Sequence, residues 1–292
     1  MTVFKGSGVA IITPFTDSGI DFPAFSGLIK RQLDGNTDAI VVCGTTGEAT
    51  TMSAEEKSAS IAFVIKEVAG KVPVIAGTGG NNTTNVIRDS IAAEQLGADA
   101  LLIVTPYYNK ATPAGLVAHY TAVADAVNIP IIAYNVPGRT GMNLTPATMQ
   151  QLMNHKNIVG IKAACGNIEQ IVNLAALCPT CDIYSGNDDH VLPLLSVGGK
   201  GVISTIANVI PQDMHDLCAA FFAGDLAEAR RLQFKILPVW KAAFCEVNPI
   251  PIKTMCAMLG WCAPTLRLPM CPPAENNRAL IEQTLREYGL LK

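Results

Sequence analysis

Apolar residues come in short unbroken runs, at residues 8–12, 39–43, 74–77, 100–104, 131–134, 159–161, 183–185 and 201–203. The runs do not alternate apolar with polar positions, as a strand with one wet face would. Continuous runs are the pattern of strands buried on both faces, as in a parallel sheet. Their starts lie roughly 17–35 residues apart, the length of a strand, a loop and a helix. Between them the spacing becomes helical, with recognisable start signals. Ser53-Ala54-Glu55-Glu56 is a capping box before an amphipathic run to Ala69. Thr145 offers a capping hydroxyl before Pro146 at a first helical position, and Asn167 can cap a helix running to Leu177. Asp-Gly, Asn-Gly and Pro-Gly pairs are sparse between the runs, which disfavours an antiparallel sandwich.

Eight strand–helix units in about 215 residues predict an α/β fold, a closed (β/α)8 TIM barrel. The barrel is expected over residues 1–224, with an open doubly wound sheet as the competing arrangement. After Gly224, Asp225 caps a polar-faced helix and no further strand–helix unit follows. Residues 225–292, punctuated by Pro249, Pro251, Pro264 and Pro269, read as a C-terminal helical extension rather than a second enzyme domain.

Composition narrows the classes. Hydrophobic residues make up 49% of the 292 and charged residues only 15%, against roughly 25% in an average globular chain. That excludes a disordered chain and suggests a surface covered in part by other subunits. The net charge is −3 with no basic stripe, so no nucleic-acid partner is expected. No apolar stretch is long enough to span a membrane, and no signal peptide is read at the start. Nine scattered cysteines read as reduced thiols of a cytoplasmic protein.

In this fold the active site lies at the C-terminal ends of the strands. Those ends are rich in hydroxyls: Thr13, Gly44-Thr45-Thr46-Gly47-Glu48, Thr78, Thr105-Pro106-Tyr107-Tyr108, Ser185-Gly186-Asn187-Asp188 and Ser204-Thr205. Lys162 ends the sixth run, which should point into a packed barrel. Lysine is almost never fully buried without a reason. Desolvation and a nearby cation both lower its pKa and free the neutral amine as a nucleophile toward ketones. The competing reading is a lysine snorkelling from a strand end.

Tyr134 ends the neighbouring run and can move protons, with Thr45 as a hydrogen-bonding partner; an ordinary buried tyrosine is the alternative. Arg139 follows in Pro137-Gly138-Arg139, where its planar fork suits a carboxylate or a surface ion pair. The small-residue turn at 44–47 offers N–H groups and hydroxyls to a second anion. Cys178-Pro179-Thr180-Cys181 has redox or metal-ligand spacing but no second pair or nearby histidine to complete a zinc set. Gly198-Gly199-Lys200-Gly201 lacks the pattern of a phosphate loop.

Taken together, Gly44-Thr45-Thr46-Gly47-Glu48, Pro106-Tyr107-Tyr108, Tyr134-Asn135-Val136-Pro137-Gly138-Arg139-Thr140-Gly141, Gly160-Ile161-Lys162 and Asn248-Pro249-Ile250-Pro251 resemble the dihydrodipicolinate synthase family of the pyruvate-dependent class I aldolase superfamily. The resemblance covers essentially the whole chain. Arg139 is similar to the synthase branch rather than to N-acetylneuraminate lyases. The resemblance implies that Lys162 forms an imine with pyruvate and that the derived enamine attacks L-aspartate 4-semialdehyde. It implies 4-hydroxy-tetrahydrodipicolinate as product, on the route to diaminopimelate and lysine. Tyr134 and Thr45 would relay protons, with Tyr108 completing the relay from a neighbouring subunit. Thr45 and Thr46 would hold the pyruvate carboxylate, Ile203 would line its pocket and Arg139 would position the semialdehyde carboxylate. No metal or organic cofactor is implied, because the imine is the electron sink. A homotetramer built as a dimer of dimers is expected. The alternatives are a related aldolase taking a 2-keto-3-deoxy sugar acid or an N-acetylneuraminate-type substrate, and an inactive barrel serving as a binding protein.

The sequence departs from the family pattern in two respects. Ala163 follows Lys162 where many members carry an acidic residue. Lysine-inhibited members carry two histidines and a glutamate in an effector pocket, and the corresponding residues here are Ala54, Lys57 and Asn85. Gaining a fixed cation and losing a carboxylate weakens the binding of a cationic amino acid. Low-millimolar L-lysine is therefore expected to leave turnover nearly unchanged. Strong inhibition in that range, in a steady-state assay, would refute this reading.

Overall fold

The structure, a computed structural model, describes residues 2–292. The apolar runs form eight parallel strands: β1 (Gly6–Ala10), β2 (Ala39–Val42), β3 (Val74–Gly77), β4 (Ala100–Val104), β5 (Ile131–Asn135), β6 (Ile158–Ala163), β7 (Asp182–Ser185) and β8 (Gly201–Ser204). They pair in chain order, and β1 closes the ring by pairing with both β2 and β8. The closed barrel is thus present and the open sheet is not.

Helices follow the strands: α1 (Phe22–Asp34), α2 (Ala54–Val68), α3 (Thr83–Gln95), α4 (Pro113–Asp125), the one-turn α5 (Pro137–Thr140), α6 (Pro146–Leu152), α7 (Ile168–Leu177), α8 (Val191–Ser196) and α9 (Pro211–Phe222). The start signals act as read. Ser53 and Glu56 form a reciprocal capping box, and the Thr145 and Asn167 side chains accept the Thr148 and Gln170 N–H groups in the first turns of α6 and α7. The last helices, α10 (Leu226–Ala243), α11 (Ile250–Met258) and α12 (Glu275–Glu287), pack on one another, with α10 against α9. Asp225 caps α10. Among the described residues no helix is long and apolar enough to cross a membrane.

The first strand differs from the sequence pattern by two residues. It starts at Gly6, which pairs with Gly201, and stops at Ala10 although the apolar run continues to Ile12. Asn208 ends it. Its side-chain amide donates to the Ala10 carbonyl at 2.8 Å and its Oδ1 accepts the Ile12 N–H at 3.0 Å. Ile11 still donates to the Val41 carbonyl at 3.1 Å, and both Ile11 and Ile12 stay buried past the strand's end, so hydrophobicity alone does not mark the exit. A short hairpin, Phe15–Thr16 against Gly19–Ile20, then leads to α1.

The core has two layers. The larger lies between strands and helices, and the smaller fills the barrel with Phe4, Val41, Ile75, Leu102, Ile132, Tyr134, Tyr184 and Ile203. Phe4 fills the end of the barrel below β1. Its ring stacks on Tyr184 at 4.3 Å, and Tyr184 donates its hydroxyl proton to the Phe4 carbonyl at 2.7 Å. A Cβ on Gly8 would lie 2.9 Å from the Phe4 ring, so the plug needs glycine there.

Charge joins the C-terminal helices to the barrel. Lys253 of α11 is fully buried and its ammonium donates to Glu48, just after the 44–47 turn, and to the Thr265 carbonyl at 3.1 Å. The other Glu48 oxygen accepts the Arg267 N–H at 3.1 Å. The Arg267 guanidinium reaches Glu56 at 2.7 Å. Lys253 and Arg267 both lie on the Phe15 ring, at 4.3 and 4.1 Å from its centre.

Breaking a buried pair by removing one partner costs about 3–5 kcal/mol, whereas replacing both with apolar groups is often neutral. Lys253→Met should therefore lower unfolding free energy in urea by about that amount, and Glu48→Leu/Lys253→Met should recover most of it. A single variant as stable as the parent would show that the pair does not secure this joint.

Candidate active site

Register places the central groups. Across β5, β6 and β7, Tyr134, Lys162 and Tyr184 are direct neighbours. Tyr134 and Tyr184 belong to the barrel filling, so Lys162 stands between two inward tyrosines. It is 5% exposed, and its Nζ lies 4.5 Å from the centre of the Tyr134 ring. Burial brings the ammonium pKa down to about 8; Arg139 adds to that shift and the Asp188 carboxylate opposes it. A usable fraction of the amine is neutral near physiological pH.

Asp188 follows β7 in a short helical turn and is buried. Its Oδ2 accepts the Thr205 and Ile206 N–H groups at 3.2 and 3.3 Å. Burial pushes its carboxyl up to about 6, against hydrogen bonds from Ser204 and this backbone and the charge of Lys162. Burial likewise raises the Tyr134 phenol, with Arg139 and the Thr45 hydroxyl pulling the other way.

The 44–48 turn is held by its own backbone. Gly47 and Ala49 donate to the Gly44 carbonyl, and Glu48 donates to that of Thr45. The Thr45 and Thr46 N–H groups have no such partner among the described residues. The turn passes so close over β3 that a Cβ on Gly77 would lie 2.2 Å from the Cys43 carbonyl. Thr46 is buried and its hydroxyl accepts the Asn248 amide at 3.0 Å. The Asn248 carbonyl in turn accepts from Arg139 Nη2 at 2.9 Å. One asparagine between α10 and α11 thus ties the threonine turn to the arginine.

Arg139 stands exposed on α5. Asn135 at the end of β5 secures this segment by accepting the Leu144 N–H at 2.9 Å and donating to Asn143 at 2.9 Å. Ile203 is fully buried in the barrel lining. Two cavities open above, of about 160 and 260 Å³. Thr45 and Tyr107 border both, Tyr134 the first, and Arg139 and Asn248 the second. Lys162 borders neither directly; its amine lies over the Tyr134 ring. Tyr108 is not brought in. It is 90% exposed with φ of +72° and lines neither cavity. The arrangement supplies a weakly basic amine, a phenol with a hydroxyl partner, and cationic and hydroxyl groups for carboxylates.

The chain matches known proteins over its whole length. The model of the dihydrodipicolinate synthetase family matches residues 3–288. The chain belongs to that family. It is 50% identical over 293 residues to 4-hydroxy-tetrahydrodipicolinate synthase 1 of Clostridium acetobutylicum, with all of both chains covered. Its backbone superposes on the crystal structure of dihydrodipicolinate synthase from Thermotoga maritima with a TM-score of 0.97, at 40% identity, covering 99% of this chain and 100% of that one. The chloride-inhibited dihydrodipicolinate synthase of Acinetobacter baumannii, solved in complex with pyruvate, is 42% identical with a TM-score of 0.97 and the same coverages.

Within this dihydrodipicolinate synthetase fold, Ala54, Lys57 and Asn85 border one further cavity of about 210 Å³, together with Arg88 and Tyr107. Lys57 also borders the 160 Å³ cavity. Cys178 and Cys181 are buried and burial raises both thiols, which suits packing rather than chemistry. Sequence reasoning missed Asp188 and the linking role of Asn248. The signals were a carboxylate at a strand's C-terminal end and the Asn248-Pro249-Ile250-Pro251 motif, but neither motif nor spacing states a partner.

The lowered Lys162 pKa has a direct readout. Neutral amine is the reactive form, so reactivity rises as pH passes upward through about 8. Reductive methylation of Lys162 by formaldehyde, followed by peptide mass spectrometry, should show that midpoint. A midpoint near the 10.5 of free lysine would mean that the amine is solvated.

Proposed function

We infer that this chain condenses pyruvate with L-aspartate 4-semialdehyde to 4-hydroxy-tetrahydrodipicolinate, in the biosynthesis of diaminopimelate and lysine. The observation that carries this reading is a desolvated lysine amine against a tyrosine ring inside the barrel, below a threonine turn and an arginine. The neutral Lys162 amine bonds to the pyruvate keto carbon, and the keto oxygen leaves as water. The resulting iminium acidifies the methyl group, and loss of one methyl proton gives a neutral enamine. The enamine carbon attacks the semialdehyde carbonyl, whose oxygen takes a proton and becomes the hydroxyl. The substrate amine then adds to the iminium carbon and expels the Lys162 amine, which closes the ring.

Tyr134, with Thr45, moves the protons on and off oxygen in these steps. Thr45 and Thr46 hold the pyruvate carboxylate. The Thr46 oxygen accepts from Asn248, which leaves its own proton to donate. Ile203 lines the pocket. Arg139, held by the Asn248 carbonyl, receives the semialdehyde carboxylate. Tyr108 acts on a neighbouring subunit, which its exposure and left-handed backbone support, so the active unit is at least a dimer and the full assembly a dimer of dimers. Nine unpaired thiols support a reducing, cytoplasmic setting.

The test is condensation of the two substrates coupled to the downstream reductase and followed by NADPH loss. Loss that needs both substrates supports the reading. No loss, with pyruvate still reduced onto Lys162 by borohydride, would move the activity to another aldehyde. Lys162→Ala should abolish the adduct. A charge-assisted hydrogen bond is worth about 1.5–3 kcal/mol, so Arg139→Ala should cut kcat/KM for the semialdehyde roughly 10- to 100-fold. The pyruvate adduct should persist in that variant. Equal loss of both would give Arg139 a structural role only.

A further inference from the structure

The residues at the two ends of the threonine turn have a backbone that side chains rarely adopt. Cys43 and Glu48 lie in the left-handed region, with φ of +57° and +55°. Glycine takes that conformation without steric cost, and the turn holds two glycines, yet neither Gly44 nor Gly47 has a positive φ. Gly47 serves close approach instead: a Cβ on it would lie 3.1 Å from the Ile11 carbonyl oxygen. Glu48 is thus not placed there for its backbone. It is 3% exposed, and one carboxylate oxygen takes the Lys253 ammonium while the other takes the Arg267 N–H. Both partners belong to the C-terminal part of the chain and neither to the turn.

What the carboxylate fixes can be followed along the backbone. The Glu48 N–H donates to the Thr45 carbonyl at 3.1 Å, and the Gly47 and Ala49 N–H groups donate to that of Gly44 at 3.1 and 3.4 Å. The Glu48 carbonyl accepts the N–H and the hydroxyl of Thr51, each at 3.0 Å. In a planar trans peptide the carbonyl and the following N–H point in opposite directions. With carbonyls 44 and 45 turned toward residues 47–49, the Thr45 and Thr46 N–H groups leave the other side of the turn together. Successive N–H groups without partners make a concavity for an anion. Thr45 borders both cavities of the site, and Glu48 borders the larger one.

We propose that Glu48 is a positioning residue that acts through the Thr45 and Thr46 N–H groups. Its outward ion pair with Lys253 holds the turn in the shape that aims both donors at the pyruvate carboxylate. This rests on the pyruvate reading above. Lys162 is set by strand register, so its amine keeps its reactivity toward a ketone when the pair is lost, and recognition of the carboxylate is what fails.

The experiment sets pyruvate against acetone, which offers Lys162 a keto carbon without a carboxylate. Trapping of each on Lys162 by cyanoborohydride is read by peptide mass spectrometry, in the parent chain and in Glu48→Leu/Lys253→Met. That double variant is expected to keep most of the parent's stability, checked by urea unfolding. Its preference for pyruvate over acetone should fall about tenfold, the low end of what a hydrogen bond to a charged group contributes, while acetone trapping stays at the parent's rate. A pair that serves stability alone would change both ketones alike or neither. If the double variant does not fold, Glu48→Gln keeps an acceptor for the Arg267 N–H and gives up the charge. It should shift the preference in the same direction by less. A folded variant with the parent's preference overturns the proposal. So does a parent chain that traps acetone as readily as pyruvate, a result that leaves the imine chemistry standing. A parent chain that cannot be reduced onto pyruvate at all overturns the proposed function, and this inference with it.

Discussion

An ammonium group inside a closed barrel loses most of its hydration, and the site is organised around that cost. Eight strands enclose a dry filling of aliphatic and aromatic side chains, and register alone sets Lys162 among them. The amine is kept near neutrality because the interior is a poor solvent for its charge. Arg139 pushes the same way and the Asp188 carboxylate opposes it.

The groups above this lysine are set by distant parts of the chain. The threonine turn is shaped by its own backbone, yet its Thr46 side chain is oriented by Asn248 and its far end is anchored by Lys253. Arg139 rises from β5 on a segment tied down by Asn135 and is steadied by the same Asn248. The helices after the barrel are therefore not a separate appendage. They supply the bonds that hold two loops of the barrel in one geometry.

The strands were legible because a strand buried on both faces leaves a continuous apolar run, and the helix starts because capping is local chemistry. The end of β1 was not legible, since Asn208, nearly two hundred residues away, decides it while the apolar run continues. The hairpin at Phe15 and Ile20 was too short to show alternation. In the site, Lys162 and Tyr134 stood out as polar groups ending buried runs. The Glu48–Lys253 pair and the setting of Asp188 were hidden, because a sequence shows which residues can carry charge but not which one will be left facing another in a dry interior.

The 205 residues between Glu48 and Lys253 also have a meaning in time. On a ribosome adding about 5–20 residues per second, Glu48 emerges roughly 10–40 s before its cation exists. For that interval the carboxylate stays in water, because burying it alone is far more costly than leaving it hydrated. The early strands and helices can gather while the threonine turn remains unlocked. The anchor of the threonine turn can form only after all eight strands of the barrel have been made.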